Sequence, residues 1–219
     1  VLMPMRLFYL YLPWLAVMAI GVGSAYLVGG IRAMWPPFVF IGFIAISGWW
    51  DRAMITAYMV SFALIVCFVI GFPVGVWASL NERRSRILLL ITDTLQTFPS
   101  FIYLIPVIML LQVNDVSAVT AVLGYTFVPV IRYTIEGLRS VPDYLSEAAD
   151  MSGCTTWQKL WKVKIPMALP HITVGANQAV MFALFMAIIA AFIGTQDLGQ
   201  EMMRAIAFTD VGRGLVLGL

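Results

Sequence analysis

The 219 residues are 62% hydrophobic and 11% charged, with a net charge of +2 at neutral pH, where soluble domains average about 45–50% and 25%. No soluble fold of this size hides so much apolar side chain, so lipid is the solvent; the small, scattered positive excess excludes a nucleic-acid surface. Cys67 and Cys154 form neither a disulfide framework nor a metal spacing and read as free thiols, with Cys154 facing a reducing cytosol.

In chain order, apolar runs fall at residues 12–31, 36–50, 53–80, 87–111, 116–131 and 172–194. A run from Val211 to Leu219 is too short for the ~20 residues that cross a ~30 Å hydrocarbon core, and the chain is expected to continue beyond it. The opening stretch from Val1 lacks the charged region and small-residue cleavage site of a signal peptide. The runs predict an all-α, polytopic transmembrane helical bundle of about six or seven spans. Trp14, Trp35, Trp49, Trp50 and Trp77 sit near run ends, at headgroup level.

Cations set the orientation. Arg83, Arg84 and Arg86 lie in one connection; Arg132, Arg139, Lys159, Lys162 and Lys164 lie in the long segment before His171. Two spans separate these segments, so both lie on one side, and the positive-inside bias makes that side cytoplasmic. The connection at 112–117 carries Asp115 and no cation, as an outside loop should.

The cytoplasmic segment 140–166 carries local helix signals. Pro142 suits a first helical position, Asp143 favours the positive helix end, and Gly153 can adopt the left-handed conformation that ends a helix. Thr155-Thr156-Trp157-Gln158 has capping-box spacing, opening a second helix expected to stop at Pro166. The product is an elbow. Ala148 and Ala149 permit close backbone approach; Leu145, Met151, Trp157, Leu160 and Trp161 offer apolar anchors; Glu147, Lys159 and Lys162 set register. These features suit a docking knob and, equally, an amphipathic loop on anionic lipid.

Other residues are candidates for a translocation path. Asp93 is an acid inside an apolar run, seven residues past Arg86, and suits either a path or a pairing near the interface. Pro99 and Pro106 interrupt one span, Pro73 another, as ordinary kinks or as bends around a cavity. Asn177 and Gln178 are polar groups early in the last full span, for the path or for interhelical bonds. Tyr103, Tyr125 and Phe127 offer aromatic faces of the kind that attract a cation. His171 has no catalytic reading. There is no P-loop, nucleophile elbow or Cys/His metal spacing, and no internal repeat that would favour the alternative, an ion-gradient-driven secondary transporter or channel.

Glu147-Ala148-Ala149, Gly153 and Val163-Lys164-Ile165-Pro166 together resemble the EAA motif of ABC importer permeases. Residues 71–75, 92–106, 129–132, 174–178 and 198–200 resemble the glycine betaine, choline and proline permeases, while Thr195-Gln196-Asp197 departs from the small, glycine-rich stretch expected there. The resemblance implies a type I permease core at 53–219 behind additional helices at 1–52, in a bacterial inner membrane. It implies no catalysis and no cofactor in this chain, ATP and Mg belonging to a partner ATPase. The ATPase, a second permease copy and a solute-binding protein are the implied partners. Glu147, Ala148, Ala149, Gly153, Leu145, Met151 and Pro166 inherit the ATPase-coupling role. The solutes left open are glycine betaine, choline, carnitine, proline and trimethylamine N-oxide.

Overall fold

The computed structural model describes residues 2–218, leaving Val1 and Leu219 outside the described residues. It is all-α, running α1 (Leu2–Tyr11), α2 (Trp14–Ser47), α3 (Trp50–Ser79), α4 (Glu82–Thr97), α5 (Phe101–Leu111) and α6 (Asp115–Arg139), then α7 (Asp143–Met151), α8 (Thr156–Lys159), α9 (Ile165–Ala190), α10 (Leu198–Ala207) and α11 (Val211–Gly218). Among the described residues four helices are long and apolar enough to cross a membrane, making up to five spans when α4 and α5 are taken as one broken span.

The first of these four, α2, is folded back on itself. Gly30 has φ 66° and ψ −160°, a backbone region open essentially to glycine alone. A Cβ on Gly21 would meet Ile41 at 2.8 Å, and one on Gly42 would meet Met18 at 3.6 Å. In a straight helix residues so far apart in sequence would be separated by ~30 Å. The two arms therefore run antiparallel, each rising about 25 Å. Both expected helices at 12–31 and 36–50 are present, but the turn is Gly30 alone, and Arg32, Trp35 and Pro36 belong to the second arm.

Helix α3 meets α6 through small residues. Ala63, Cys67, Gly71, Gly75 and Ala78 recur about once per turn and are buried, so one stripe of α3 lets the neighbouring backbone come close. At Gly75 an added Cβ would stand 2.7 Å from Thr134 Cβ. Helix α6 also packs on α4, α5 and α9, which makes it the hub of the bundle. Tyr58, Met59, Val119, Val122, Met186 and Ile189 fill the largest core cluster, against which Leu2, Met5, Tyr9 and Leu10 of α1 also pack.

The run at 87–111 is not one straight helix. Helices α4 and α5 meet at 94°. Phe98 is extended at φ −72°, ψ 136°, as the residue before a proline prefers. Pro99 has no N–H for the Leu95 carbonyl, which accepts instead from the Tyr103 hydroxyl at 2.7 Å. The bend thus belongs to Pro99, while Pro106 sits inside α5 without breaking it.

Pro166 does not stop the second elbow helix either. Leu160–Lys164 widen into a π turn in which Ile165 N–H donates to Leu160 O, and Pro166 enters the first turn of α9. The widened turn before it accommodates a proline that would clash inside an uninterrupted α-helix. The chain from Thr156 to Ile193 is consequently one long span.

The two cation-bearing segments lie at one end of the bundle, where Glu82 and Arg139 approach to 4.0 Å. At the other end Gly194 lies beside Val113, Leu198 N–H donates to Thr56 Oγ1 at 3.2 Å, and Arg6 pairs with Asp115.

Candidate functional site

The elbow is built from short-range chemistry. Asn- and Ser-type caps are absent at its first helix; Pro142 is the extended residue before α7, one position earlier than expected. Gly153 has φ 73°. Its N–H donates to Asp150 O and that of Cys154 to Ala149 O, both at 3.0 Å, the paired closure of a helix ended by a left-handed glycine. Thr155 and Gln158 then form a reciprocal capping box. Lys159 Nζ pairs with both oxygens of Asp150, at 2.7 and 2.8 Å, and ties the second helix to the first.

The elbow has two faces. Inward, Leu145 packs on a buried cluster of Leu138, Val141, Leu160 and Ala168 with Val76, Ile165 and Ile172, and Ala149 is also buried. Outward stand Tyr144, Glu147, Ala148, Met151, Trp157 and Trp161, with Met151 91% exposed. Trp157 and Trp161 meet edge to face at 5.6 Å. The expected anchors therefore divide: Leu145, Ala149 and Leu160 attach the elbow to the bundle, while Glu147, Ala148 and Met151 are open to a partner. Tyr144 joins the open face, one turn before Ala148, and sequence reading missed it.

The candidate path residues do not form one cluster. Asp93 is paired, its carboxylate 2.7 Å from Arg132 Nη1. The same guanidinium donates to Gln96 Oε1 at 2.6 Å and to Glu136 Oε1 at 3.0 Å. Pro99 lies exposed at the bend, and Pro106 is exposed on α5. Tyr103 meets Tyr125 edge to face at 5.2 Å, and Tyr125 stacks on Phe182 at 4.8 Å. Rings in direct contact leave no opening between them for a cation, so they pack α5, α6 and α9 together. Phe127 turns instead toward Gly71 in the α3–α6 seam. Asn177 is exposed and Gln178 half-buried on α9. His171 stacks its Cβ close to Gly137 in the α6–α9 contact.

A second polar constellation, at the end of the bundle opposite the elbow, was not legible in the sequence. Glu201 is 2% exposed and faces Arg204 at 2.9 Å and Arg52 at 3.5 Å, with Arg213 also paired to it. Arg213 lies over the Trp49 ring at 4.8 Å. Nearby, Asp197 is fully buried and caps α10 by accepting from Gln200 N–H at 3.0 Å. Burial pushes its carboxyl up to about 6, against the opposing bonds from Gln200 and Thr195. Thr195 and Asp197, which depart from a glycine-rich pattern, are thus the hydrogen-bonded pair at the start of α10.

The family described as binding-protein-dependent transport system inner membrane component matches residues 71–219. The chain is 52% identical over 219 residues to a trimethylamine N-oxide transport system permease protein of Ruegeria pomeroyi, covering 100% of this chain and 33% of that protein. It is 48% identical over 220 residues to the like-named protein of Pelagibacter ubique, covering 100% and 31%. To a glycine betaine/proline betaine transport system permease protein of Escherichia coli it is 37% identical over 203 residues, covering 93% and 54%. The chain thus spans about a third to a half of the length of these relatives.

Proposed function

Because the chain belongs to the binding-protein-dependent transport system inner membrane components, we propose that it lines the translocation path of an ATP-driven importer and docks its ATPase through the elbow. The observation that carries this is the outward face of α7. Glu147, Ala148 and Met151 are open, on a helix locked at one end by Gly153 and fastened beneath by Leu145 and Ala149. A lipid-surface loop would turn its apolar side chains toward the bundle plane and its charges away. Here an exposed methionine, alanine and tyrosine stand beside a glutamate on the side away from the bundle, which suits a protein groove.

In this reading the chain contributes no catalysis. ATP and Mg sit on a partner chain, and closure of two ATPase subunits draws two elbows together beneath a pair of permease copies. A rigid elbow then tilts α6 and α9, and the outer end opens to a solute delivered by a binding protein. Asn177, which makes no side-chain hydrogen bond among the described residues, and Gln178 supply polar lining on α9. The proposed solute is trimethylamine N-oxide. Identity to two permeases named for that solute is 52% and 48% across the whole chain, against 37% for the Escherichia coli glycine betaine/proline betaine permease.

The test is site-directed cross-linking of an Ala148→Cys variant, in the full-length permease, to its ATPase. A cross-link at Ala148→Cys, with none at the inward-facing Leu145→Cys, supports docking by this face. Equal reaction at both, or only lipid-probe labelling at Ala148→Cys, contradicts it. Competition among methylated amines for ATP-dependent uptake then ranks the solutes, with the N-oxide expected first.

A further inference from the structure

Arg132 fastens α4 of the bent pair to the hub helix by charge, close to the bend. Its guanidinium reaches Asp93 at 2.7 Å and Gln96 at 2.6 Å on α4, while its Nε is held at 3.0 Å by Glu136 of its own helix. Gln96 is two residues before Phe98, where the backbone leaves the helix. Lower on α4, Arg139 approaches Glu82 at 4.0 Å, and buried Ser85 donates to Ala78 O at 2.9 Å. Across the bend, Tyr103 joins Leu95 O and packs on Tyr125 of α6. Helix α6 in turn runs directly into the elbow, whose Val141 and Leu145 pack with Leu138 at its end.

These contacts form a continuous mechanical series from the elbow through α6 to the bend at Pro99. In this series Arg132 is the planar donor that meets three acceptors, from Asp93, Gln96 and Glu136, and its fork geometry fixes direction as well as distance. The pair lies near the cytoplasmic interface and is partly exposed, so its role in holding the fold is small. An arginine there with both an intrahelical brace and two interhelical partners is arranged for positional control.

We propose that Arg132 is a positioning residue for transport: it straps α4 to α6 so that the bend at Pro99 moves with the elbow. The inference rests on the ATPase-driven permease reading, and its test separates the two. The full-length permease, with its ATPase and binding protein, is reconstituted in liposomes. A Phe98→Cys reporter at the bend is labelled by a maleimide, with and without a non-hydrolysable ATP analogue, and quantified at that site by mass spectrometry. Uptake and ATP hydrolysis are read in parallel.

Expected is a labelling rate that changes with nucleotide when Arg132 is intact. In the Arg132→Gln background the response disappears, and uptake per ATP hydrolysed falls about tenfold, within the range of coupling changes produced by residues between sites. Arg132→Lys, which keeps the charge without the fork, recovers part of both. Asp93→Asn combined with Gln96→Ala leaves α6 untouched and is expected to reproduce the loss. A normal nucleotide response in either assembled variant overturns the strap. So does an unresponsive Phe98→Cys bend in a protein that otherwise transports. Absence of ATP-dependent uptake with Arg132 intact overturns the permease reading, and the strap with it.

Discussion

Replacing Gly153 by alanine isolates the backbone requirement of the elbow. Nothing lies within 4 Å of the position a Cβ would take, so steric contact contributes nothing and the effect comes from φ 73° alone. An L-residue other than asparagine or aspartate pays roughly 1–2 kcal/mol in that conformation, equivalent to about a 5- to 30-fold rise in the opened population of the turn. The adjacent Cys154 is a native reporter, half-buried, with its own N–H held by Ala149 O. When opening is fast relative to labelling, the maleimide rate at Cys154 follows the opened population, so Gly153→Ala should react about tenfold faster. Gly153→Asn, which tolerates the left-handed region, should stay within about threefold of the parent. Cys67, buried in the bundle, serves as the internal control and should remain silent in all three. Equal Cys154 rates in the parent and both variants would refute the claim that the turn depends on the left-handed glycine. Gly153→Pro goes further, fixing φ near −65° and deleting the donor to Asp150 O; it should insert normally and fail to transport.

Glu201→Gln should lower the thermal midpoint in detergent markedly, by a free energy of roughly 3–5 kcal/mol, since three arginines lose the one buried carboxylate they share; an unchanged midpoint would show the network to be dispensable. Gly75→Ala should destabilise by about 1–3 kcal/mol through overpacking against Thr134, measured by the same melt, whereas Gly23→Ala, in a helix with open space around it, should stabilise by about 0.5–1 kcal/mol. For Asp197 the folded carboxyl is raised to about 6, so its contribution to stability is complete below about 4 and is lost as pH rises through about 6. Asp197→Asn keeps an acceptor for the α10 cap and should remove that part of the decline between pH 4.5 and 7.5; an identical pH slope in the variant would place the titration elsewhere.

What could be read from the sequence was what short-range chemistry determines. Pro142, Gly153 and the Thr155–Gln158 box set the elbow within a handful of residues, and the structure places its turn at Gly153 and its cap at Thr155. The cations of two connections were expected on one side, and these connections do lie at one end of the bundle. Misplaced features had competing causes. The apolar runs at 12–31 and 36–50 leave residues 32–35 between them, but a single glycine at 30 suffices to reverse α2. Hydropathy at 87–111 is continuous across a 94° bend because it is blind to one missing N–H at Pro99. A π turn absorbs Pro166, so a residue that ordinarily ends a helix begins one. The division of Leu145 and Ala149 from Glu147 and Ala148 depends on which side of α7 meets α6 and α9, and the cluster at Glu201 joins α3, α10 and α11. Neither leaves a local signature.

The central claim is that solute movement depends on an ATPase acting through the elbow. The most direct measurement is uptake of trimethylamine N-oxide into liposomes holding the full-length permease, its ATPase and its binding protein, compared for the parent and Glu147→Lys. The account predicts uptake that requires ATP, is insensitive to collapse of ion gradients, and is lost in Glu147→Lys while the permease remains inserted. Uptake that persists without the ATPase and collapses with an ion gradient would contradict it.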